Sequence, residues 1–118
     1  MSVIGLELID QLQLSSDSYV ILGSAAAIAH GMEKVNGDLD ILVIESIGIE
    51  SLGILDIGTS LFDGNLSKEE IFLDSIIIDG YRYMGLVSLC EFYRVLSEKT
   101  GKEKHIMTYQ WVLAKLNN

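Results

Sequence analysis

Two short stretches of the chain combine residue types that can hold a phosphate group and a metal ion. A Gly23-Ser24 pair follows the apolar residues 19–22, and after thirteen intervening residues comes the Asp-Leu-Asp element from Asp38 to Asp40. Side chains two apart on a strand point to the same face, so Asp38 and Asp40 are expected to project together. Two ionised carboxylates repel each other unless a cation lies between them. Mg²⁺, with Mn²⁺ as its substitute, is the cation expected here, because it binds one or two carboxylates together with substrate phosphates.

The Gly-Ser pair would supply the phosphate side of such a site. Gly23 closes a strand without a side chain, so a phosphate can approach the backbone. Ser24 opens a helix, whose free N–H groups and positive dipole end favour an anion. Lys34 could contact a phosphate or could equally be an exposed charge. The residues expected to bind a nucleoside triphosphate are therefore Gly23, Ser24 and Lys34.

A third carboxylate is expected on a neighbouring strand, and Asp74 is the favoured candidate. It interrupts the apolar residues 71–76, and an acid in such a strand needs a reason. Asp56 is a weaker rival because the pattern does not assign its segment to a helix or a strand. Asp63 and Asp79 precede glycines and are typical of turns. The expected metal ligands are thus Asp38, Asp40 and Asp74.

The elements that must position these residues follow from apolar spacing and from glycine breaks, since the chain contains no proline. Residues 45–68 stay unassigned, with a helix near residues 50–57 and a short strand as alternatives. Elsewhere the pattern predicts helices over 3–14, 24–31, 87–97 and 103–116, and strands over 19–22, 39–44 and 70–79. This order predicts an α+β fold in which helices flank a small mixed β-sheet. The length of 118 residues suits one domain, 1–118.

The bulk composition excludes several classes of function. The formal net charge of −9 disfavours general DNA binding and binding to anionic membranes, whereas metal ions would let an acidic site accept a triphosphate. No N-terminal signal peptide is expected, and the longest apolar stretch, 19–29, is too short to span a bilayer. A cytoplasmic location is therefore expected. The single cysteine, Cys90, is expected to be a buried helix residue, and a hydrophobic content of 49% allows a homodimer interface.

Residues 23–40 resemble the signature of the nucleotidyltransferase-fold superfamily, which is DNA polymerase beta-like. The resemblance is to the branch that contains AbiEii-like proteins and other minimal nucleotidyltransferases. Residues of this chain that fall at matching places in that signature are Ala26, His30, Gly31, Lys34 and Asn36. Lys34 stands for the usual Arg and Asn36 for the usual Thr. Residues 101–105 resemble a later Gly-Arg-x-Lys-Asp element, with His105 replacing its Asp.

The resemblance implies a nucleotidyltransferase fold and an Mg²⁺-dependent transfer of a nucleoside monophosphate from a nucleoside triphosphate such as ATP to a hydroxyl. The acceptor could be a protein side chain, an RNA end or a small molecule. Asp38 and Asp40 would hold the metals, and Asp74 would complete the set and lower the pKa of the acceptor. His30 is expected to be a helix-end histidine bonded to the backbone rather than a catalytic base.

Two alternatives to an enzyme stay open. One is a nucleotide-binding regulatory module, similar to antitoxin or phage-defence members of the superfamily, that acts through a protein partner with little or no turnover. The other is a degenerate scaffold domain that only oligomerises. Aromatic residues such as Tyr81, Tyr93 and Trp111 are expected to pack in the core and on the surface, although one of them could stack on a base.

Overall fold

The computed structural model describes residues 2–59 and 66–118, so the predicted turn at Asp63 lies outside the described residues. Within these ranges the chain forms five helices and six strands. In chain order they are α1 (Leu6–Leu12), β1 (Tyr19–Ile21), α2 (Gly23–Ala29), β2 (Leu39–Val43), β3 (Ser51–Leu52), β4 (Leu55–Gly58), α3 (Lys68–Asp74), β5 (Ile76–Ile78), β6 (Tyr81–Tyr83), α4 (Leu86–Thr100) and α5 (Glu103–Leu116).

The strands form one mixed sheet in the order β3-β4-β2-β1-β6-β5. β1 lies between β2, which runs antiparallel to it, and β6, which runs parallel. β4 runs parallel to β2 on its other side. The expected α+β fold with a small mixed sheet and flanking helices is therefore confirmed. The C-terminal end of β1 and the N-terminal ends of β2 and β4 meet at the same edge of the sheet.

The buried centre of the sheet explains why these segments form strands. All three residues of β1 are buried, and they are β-branched or aromatic residues that suit a pleated, covered surface. Leu39 and Ile41 of β2 are buried while the residue between them is exposed, which is the alternation of a strand with one covered face. On the helical side, Leu89 of α4 and Val112 of α5 are fully buried.

The predicted strand over 70–79 is wrong in its first half, because residues 68–74 form helix α3. Ser67 caps this helix: its hydroxyl accepts from the Glu70 N–H, and the Glu70 carboxylate accepts from the Ser67 N–H. Such a capping box satisfies two backbone donors that a helix start otherwise leaves unpaired. Only β5 keeps the expected strand, and the turn at Asp79 and Gly80 to β6 has positive φ at both residues.

Residues 51–58, which the sequence pattern left unassigned, form a short hairpin. Of the two alternatives for this stretch, the strand is confirmed and the helix is not. β3 and β4 pair antiparallel through a turn in which Gly53 has a φ of 60°. Cys90 lies in α4 as expected, but it is only partly buried. Across residues 2–59 and 66–118, every helix falls short of the length and apolar character needed to cross a membrane.

Candidate functional site

Three carboxylates lie at the edge where β2 and β4 begin. Asp40 of β2 stands directly opposite Asp56 of β4 in the parallel register. Both residues are exposed while their strand neighbours are buried, so both side chains project from the same face of the sheet. Asp38, two residues before Asp40, is exposed as well. The expected Asp38–Asp40 pair thus gains Asp56 as its neighbour on the adjacent strand.

The electrostatic state of Asp40 reflects this crowding. Its pKa is raised from 3.8 to about 6, first because surrounding protein withdraws water from the carboxylate. The negative charges of Asp56 and then Asp38 raise the pKa further, as does a hydrogen bond shared with the Asp56 side chain. Each cause favours the protonated form over the ionised one. A cation placed among these carboxylates would remove the repulsion and favour the ionised form.

The Gly23 turn lies next to the same carboxylates. The Leu22 N–H donates to the Asp40 carbonyl oxygen at 2.9 Å, which joins the end of β1 to the start of β2. Gly23 follows with a φ of 64°, a left-handed conformation that favours glycine. Ser24 is half-buried in the first turn of α2. The predicted Gly-Ser turn and the predicted carboxylate pair are therefore brought together.

Asn36 holds the loop that leads into the carboxylates. Its side chain is 2% exposed, and its amide oxygen accepts from the Ile4 N–H at 2.9 Å. The amide nitrogen donates to the carbonyl oxygens of Ile4 at 2.9 Å and of Asp38 at 3.3 Å. The amide therefore fixes the backbone of Asp38 to the N-terminal segment. Sequence reasoning noted Asn36 only as a motif position, because its partner Ile4 is distant in the chain.

Basic residues lie close together where α5 begins. Partial burial lowers the pKa of His105, and the charges of Lys104, Lys102 and Lys34 lower it further. Partial burial and then the charge of Lys104 also lower the pKa of Lys34. Lys34 and the start of α5 therefore form one basic cluster, Lys34, Lys102, Lys104 and His105. This cluster adds two lysines and a histidine whose neutral form is favoured to the single cation, Lys34, that was expected to bind a phosphate.

Tyr93 of α4 lies close to both the carboxylates and the basic cluster. Its ring centroid is 6.1 Å from that of His105, and its hydroxyl is 3.7 Å from the position that a Cβ on Gly23 would occupy. Burial raises the pKa of Tyr93, and the charge of Asp40 raises it further. Sequence reasoning placed Tyr93 among packing aromatics, since helix spacing alone does not show which side chain reaches the turn.

Asp74 occupies a different environment from the three clustered acids. It is the last residue of α3, and its carboxylate accepts from the Ser88 N–H in the first turn of α4 at 2.8 Å. The strand that follows it, β5, lies three strands from β2, which is about 14 Å at the usual strand spacing. The structure therefore brings Asp56 to the pair and engages Asp74 at a helix start. A metal-binding role for Asp74 stays a prediction.

The interpretation of His30 is confirmed. It ends α2, and its Nε2 lies 2.8 Å from the Met84 carbonyl oxygen, a hydrogen bond to the backbone at the end of β6. This contact joins α2 to the segment that leads into α4. The histidine thus has a structural partner next to the site.

The carboxylates of this site fit Mg²⁺ as a pair. Over the described ranges, no group of three or more His, Cys, Asp or Glu side chains is arranged to hold a metal ion by itself. Mg²⁺ does not require such a cage, because it usually takes one or two carboxylates and completes its shell with water and substrate phosphates. The directly paired Asp40 and Asp56 match that requirement in number and in chemistry.

Comparisons with known proteins do not assign the chain to a family. No family model, curated protein or solved structure matches it.

Proposed function

We propose that this chain transfers a nucleoside monophosphate from a nucleoside triphosphate to a hydroxyl acceptor in an Mg²⁺-dependent reaction. One observation carries the proposal: Asp38, Asp40 and Asp56 crowd together beside the Gly23 turn, with the pKa of Asp40 raised to about 6. A cluster of like charges is costly to keep in a fold. Its position beside a glycine turn and a basic cluster favours a site for a metal-bound triphosphate.

The carboxylates would have different roles in such a reaction. Asp40 and Asp56 would hold Mg²⁺ with Asp38 beside them, and Asp56 takes the role that the sequence pattern suggested for Asp74. When bound, Mg²⁺ would neutralise phosphate charge and lower the pKa of the acceptor hydroxyl. The acceptor oxygen forms a bond to the α-phosphorus while the bond from that phosphorus to the bridging oxygen breaks. Pyrophosphate leaves with the bonding electrons, and the acceptor proton passes to Asp56.

The remaining groups would bind the triphosphate itself. Gly23 has no side chain, so a phosphate can approach the backbone between β1 and α2. Lys34, Lys102 and Lys104 lie near His105, whose ring is 6.1 Å from that of Tyr93, and they would offset the charge of the outer phosphates. Carboxylates together with nearby lysines suit a triphosphate, which is anionic and binds together with metal ions.

Transfer of a radiolabelled α-phosphate tests the proposal. The chain is incubated with Mg²⁺ and each of α-labelled ATP, GTP, CTP and UTP, with protein, RNA and small hydroxyl compounds as acceptors. We expect label on one acceptor class, and a loss of at least about 100-fold in Asp40→Asn. The matched control is Asp79→Asn, which removes the same charge at the exposed β5–β6 turn and keeps a residue that tolerates a φ of 50°. Equal transfer by Asp40→Asn would exclude this mechanism.

A second candidate function is a nucleotide-binding module that acts through a protein partner with little turnover. Exposed apolar side chains favour it: Leu73 of α3 is 87% exposed and Val87 at the start of α4 is 63% exposed. Calorimetry with the four triphosphates and Mg²⁺ separates the two candidates. Binding that depends on Asp40 without any label transfer would support the module over the enzyme.

A further inference from the structure

Tyr93 is buried in the middle of α4, next to the candidate site. Its side chain is 4% exposed. The edge of the Phe92 ring packs against it with centroids 5.3 Å apart, and the His105 ring lies on α5 at 6.1 Å. Contacts on both helices fix the direction of the ring. The position of its hydroxyl is therefore a property of the fold.

The hydroxyl of Tyr93 points to the Gly23 turn. It lies 3.7 Å from the place of a Cβ on Gly23, so any group seated over this turn comes within reach of it. The charge of Asp40 acts on the same hydroxyl. Tyr93 is thus directed at the space between the turn and the carboxylates.

This hydroxyl is unpaired yet reachable. Among the residues that the structure describes, no hydrogen-bond partner exists for it. In the same part of the chain, every side-chain nitrogen or oxygen that is fully shielded from solvent has a hydrogen-bond partner. The small exposed area of Tyr93 therefore includes its hydroxyl. A hydroxyl that reaches solvent without a protein partner is free to bond a ligand seated over the turn.

The surroundings select the kind of ligand. Burial and the Asp40 charge raise the pKa of Tyr93, so the phenol stays protonated and can donate a hydrogen bond to an anion. Lys34 and Lys104 add positive charge near His105, against which the Tyr93 ring lies. A neutral donor, nearby cations and a glycine turn without a side chain together suit a phosphate oxygen.

We propose that the Tyr93 hydroxyl donates a hydrogen bond to a phosphate oxygen of the bound triphosphate, above the Gly23 turn. This inference rests on the proposed function and adds a binding residue to it. Tyr93 would act on the phosphates and not on the base or the ribose. It would therefore contribute similarly to the binding of all four nucleoside triphosphates.

The test compares Tyr93→Phe with the wild-type chain in calorimetric titrations with Mg²⁺ and either ATP or inorganic triphosphate. The substitution keeps the ring and removes only the hydroxyl. We expect both dissociation constants to rise about tenfold, as for a lost hydrogen bond to a charged group. Inorganic triphosphate has no base or ribose, so a loss with this probe assigns the contact to phosphate.

Tyr83→Phe is the matched control. Tyr83 is 3% exposed, and its pKa is raised by burial and then by Tyr19, Tyr81 and Asp79 rather than by the acids of the candidate site. We expect this variant to bind both probes as the wild type does. Melting temperatures of both variants show whether either loosens the fold.

The outcomes separate this inference from the proposed function. Unchanged binding in Tyr93→Phe, a loss with ATP but not with inorganic triphosphate, or an equal loss in Tyr83→Phe would each overturn the hydroxyl–phosphate contact and leave the proposed function standing. A wild-type chain that binds neither probe would overturn both.

Discussion

Two acidic residues that each interrupt an apolar stretch, Asp40 and Asp74, have opposite surroundings in the folded chain. The Asp74 carboxylate accepts a backbone N–H at the start of α4, where the positive end of the helix favours a negative charge. Asp40 instead faces Asp56 and Asp38, and its pKa is raised to about 6. One acid is satisfied by the fold, and the other is crowded by acids of the same charge.

The difference teaches how an acid that the fold satisfies can be distinguished from an acid that a bound cation would stabilise. A carboxylate that bonds a helix start stabilises the folded state whether or not a ligand is present. Clustered carboxylates destabilise the folded state until a cation or a proton relieves them. Asp74 therefore stabilises the junction between α3 and α4, whereas Asp40 and Asp56 contribute little to stability unless a ligand binds.

The largest expected effect comes from replacing the third acid. Asp56→Asn should lower nucleotide transfer by at least about 100-fold, because in the proposed reaction it removes the carboxylate that takes the acceptor proton. Asp74→Asn should keep transfer within a few-fold of the wild type. Both rates are measured under identical Mg²⁺ and triphosphate concentrations. The reverse ranking would return the third-acid role to Asp74 and remove the contrast drawn here.

A second change breaks the junction that Asp74 forms. Gly85 packs against Asp74, and a Cβ on Gly85 would collide with the carbonyl oxygen and carboxylate of Asp74. Gly85→Ala should therefore lower the free energy of unfolding by about 1–3 kcal/mol, the usual cost of overpacking. Urea unfolding measures the change, with Gly37→Ala as control, since a Cβ at Gly37 would meet no atom within 4 Å. Equal stability in both variants would show that α3 and α4 are not in close contact.

Removal of the Asp74 side chain should have a smaller effect of the same kind. Asp74→Ala leaves the Ser88 N–H without its acceptor and should cost about 1 kcal/mol, as the loss of a helix cap does. Urea unfolding again gives the value. A destabilisation in Asp40→Ala as large as that in Asp74→Ala would contradict the comparison, because Asp40 should gain little stability from its acidic neighbours.

The smallest expected effect is a dependence of stability on pH. The folded pKa of Asp40 is about 6, above the ordinary value of 3.8, so the folded state binds the proton more tightly. Protonation of Asp40 therefore stabilises the folded state fully below about pH 4, and this stabilisation is lost as the pH rises through about 6. Since Asp40 is exposed, the loss should stay below about 1 kcal/mol.

Unfolding curves recorded from pH 4 to pH 7 check this dependence. The unfolding free energy of the wild type should fall relative to that of Asp40→Asn as the pH rises. Asp79→Asn should follow the wild type throughout. A flat difference across this range would mean that neither burial nor the neighbouring acids raise the pKa of Asp40.

Local patterns were sufficient to predict one half of the site. β1, the Gly23 turn, α2 and β2 follow from a buried apolar run, a glycine, a run of alanines and a strand with alternating burial. Each signal involves residues close in sequence, so their order in the chain carries the information. Helices α4 and α5 were also predictable, because Gly101 separates them.

The other half depends on contacts between distant segments. β4 is four residues long in a glycine-rich stretch, and only its pairing with β2 aligns Asp56 with Asp40. A local signal against a strand at Asp74 was present in Ser67 and Glu70, whose spacing is typical of a capping box. The direction of Tyr93 depends on how α4 packs against α2 and α5, which helix periodicity does not specify.

The most direct test of the account is a crystal structure of the chain with a non-hydrolysable triphosphate analogue and Mn²⁺. Anomalous scattering locates the metal without reference to the protein density. The account predicts manganese bound by oxygens of Asp40 and Asp56, with the phosphates over Gly23. Manganese bound at Asp74, or an ordered analogue bound away from Asp38, Asp40 and Asp56, would contradict it.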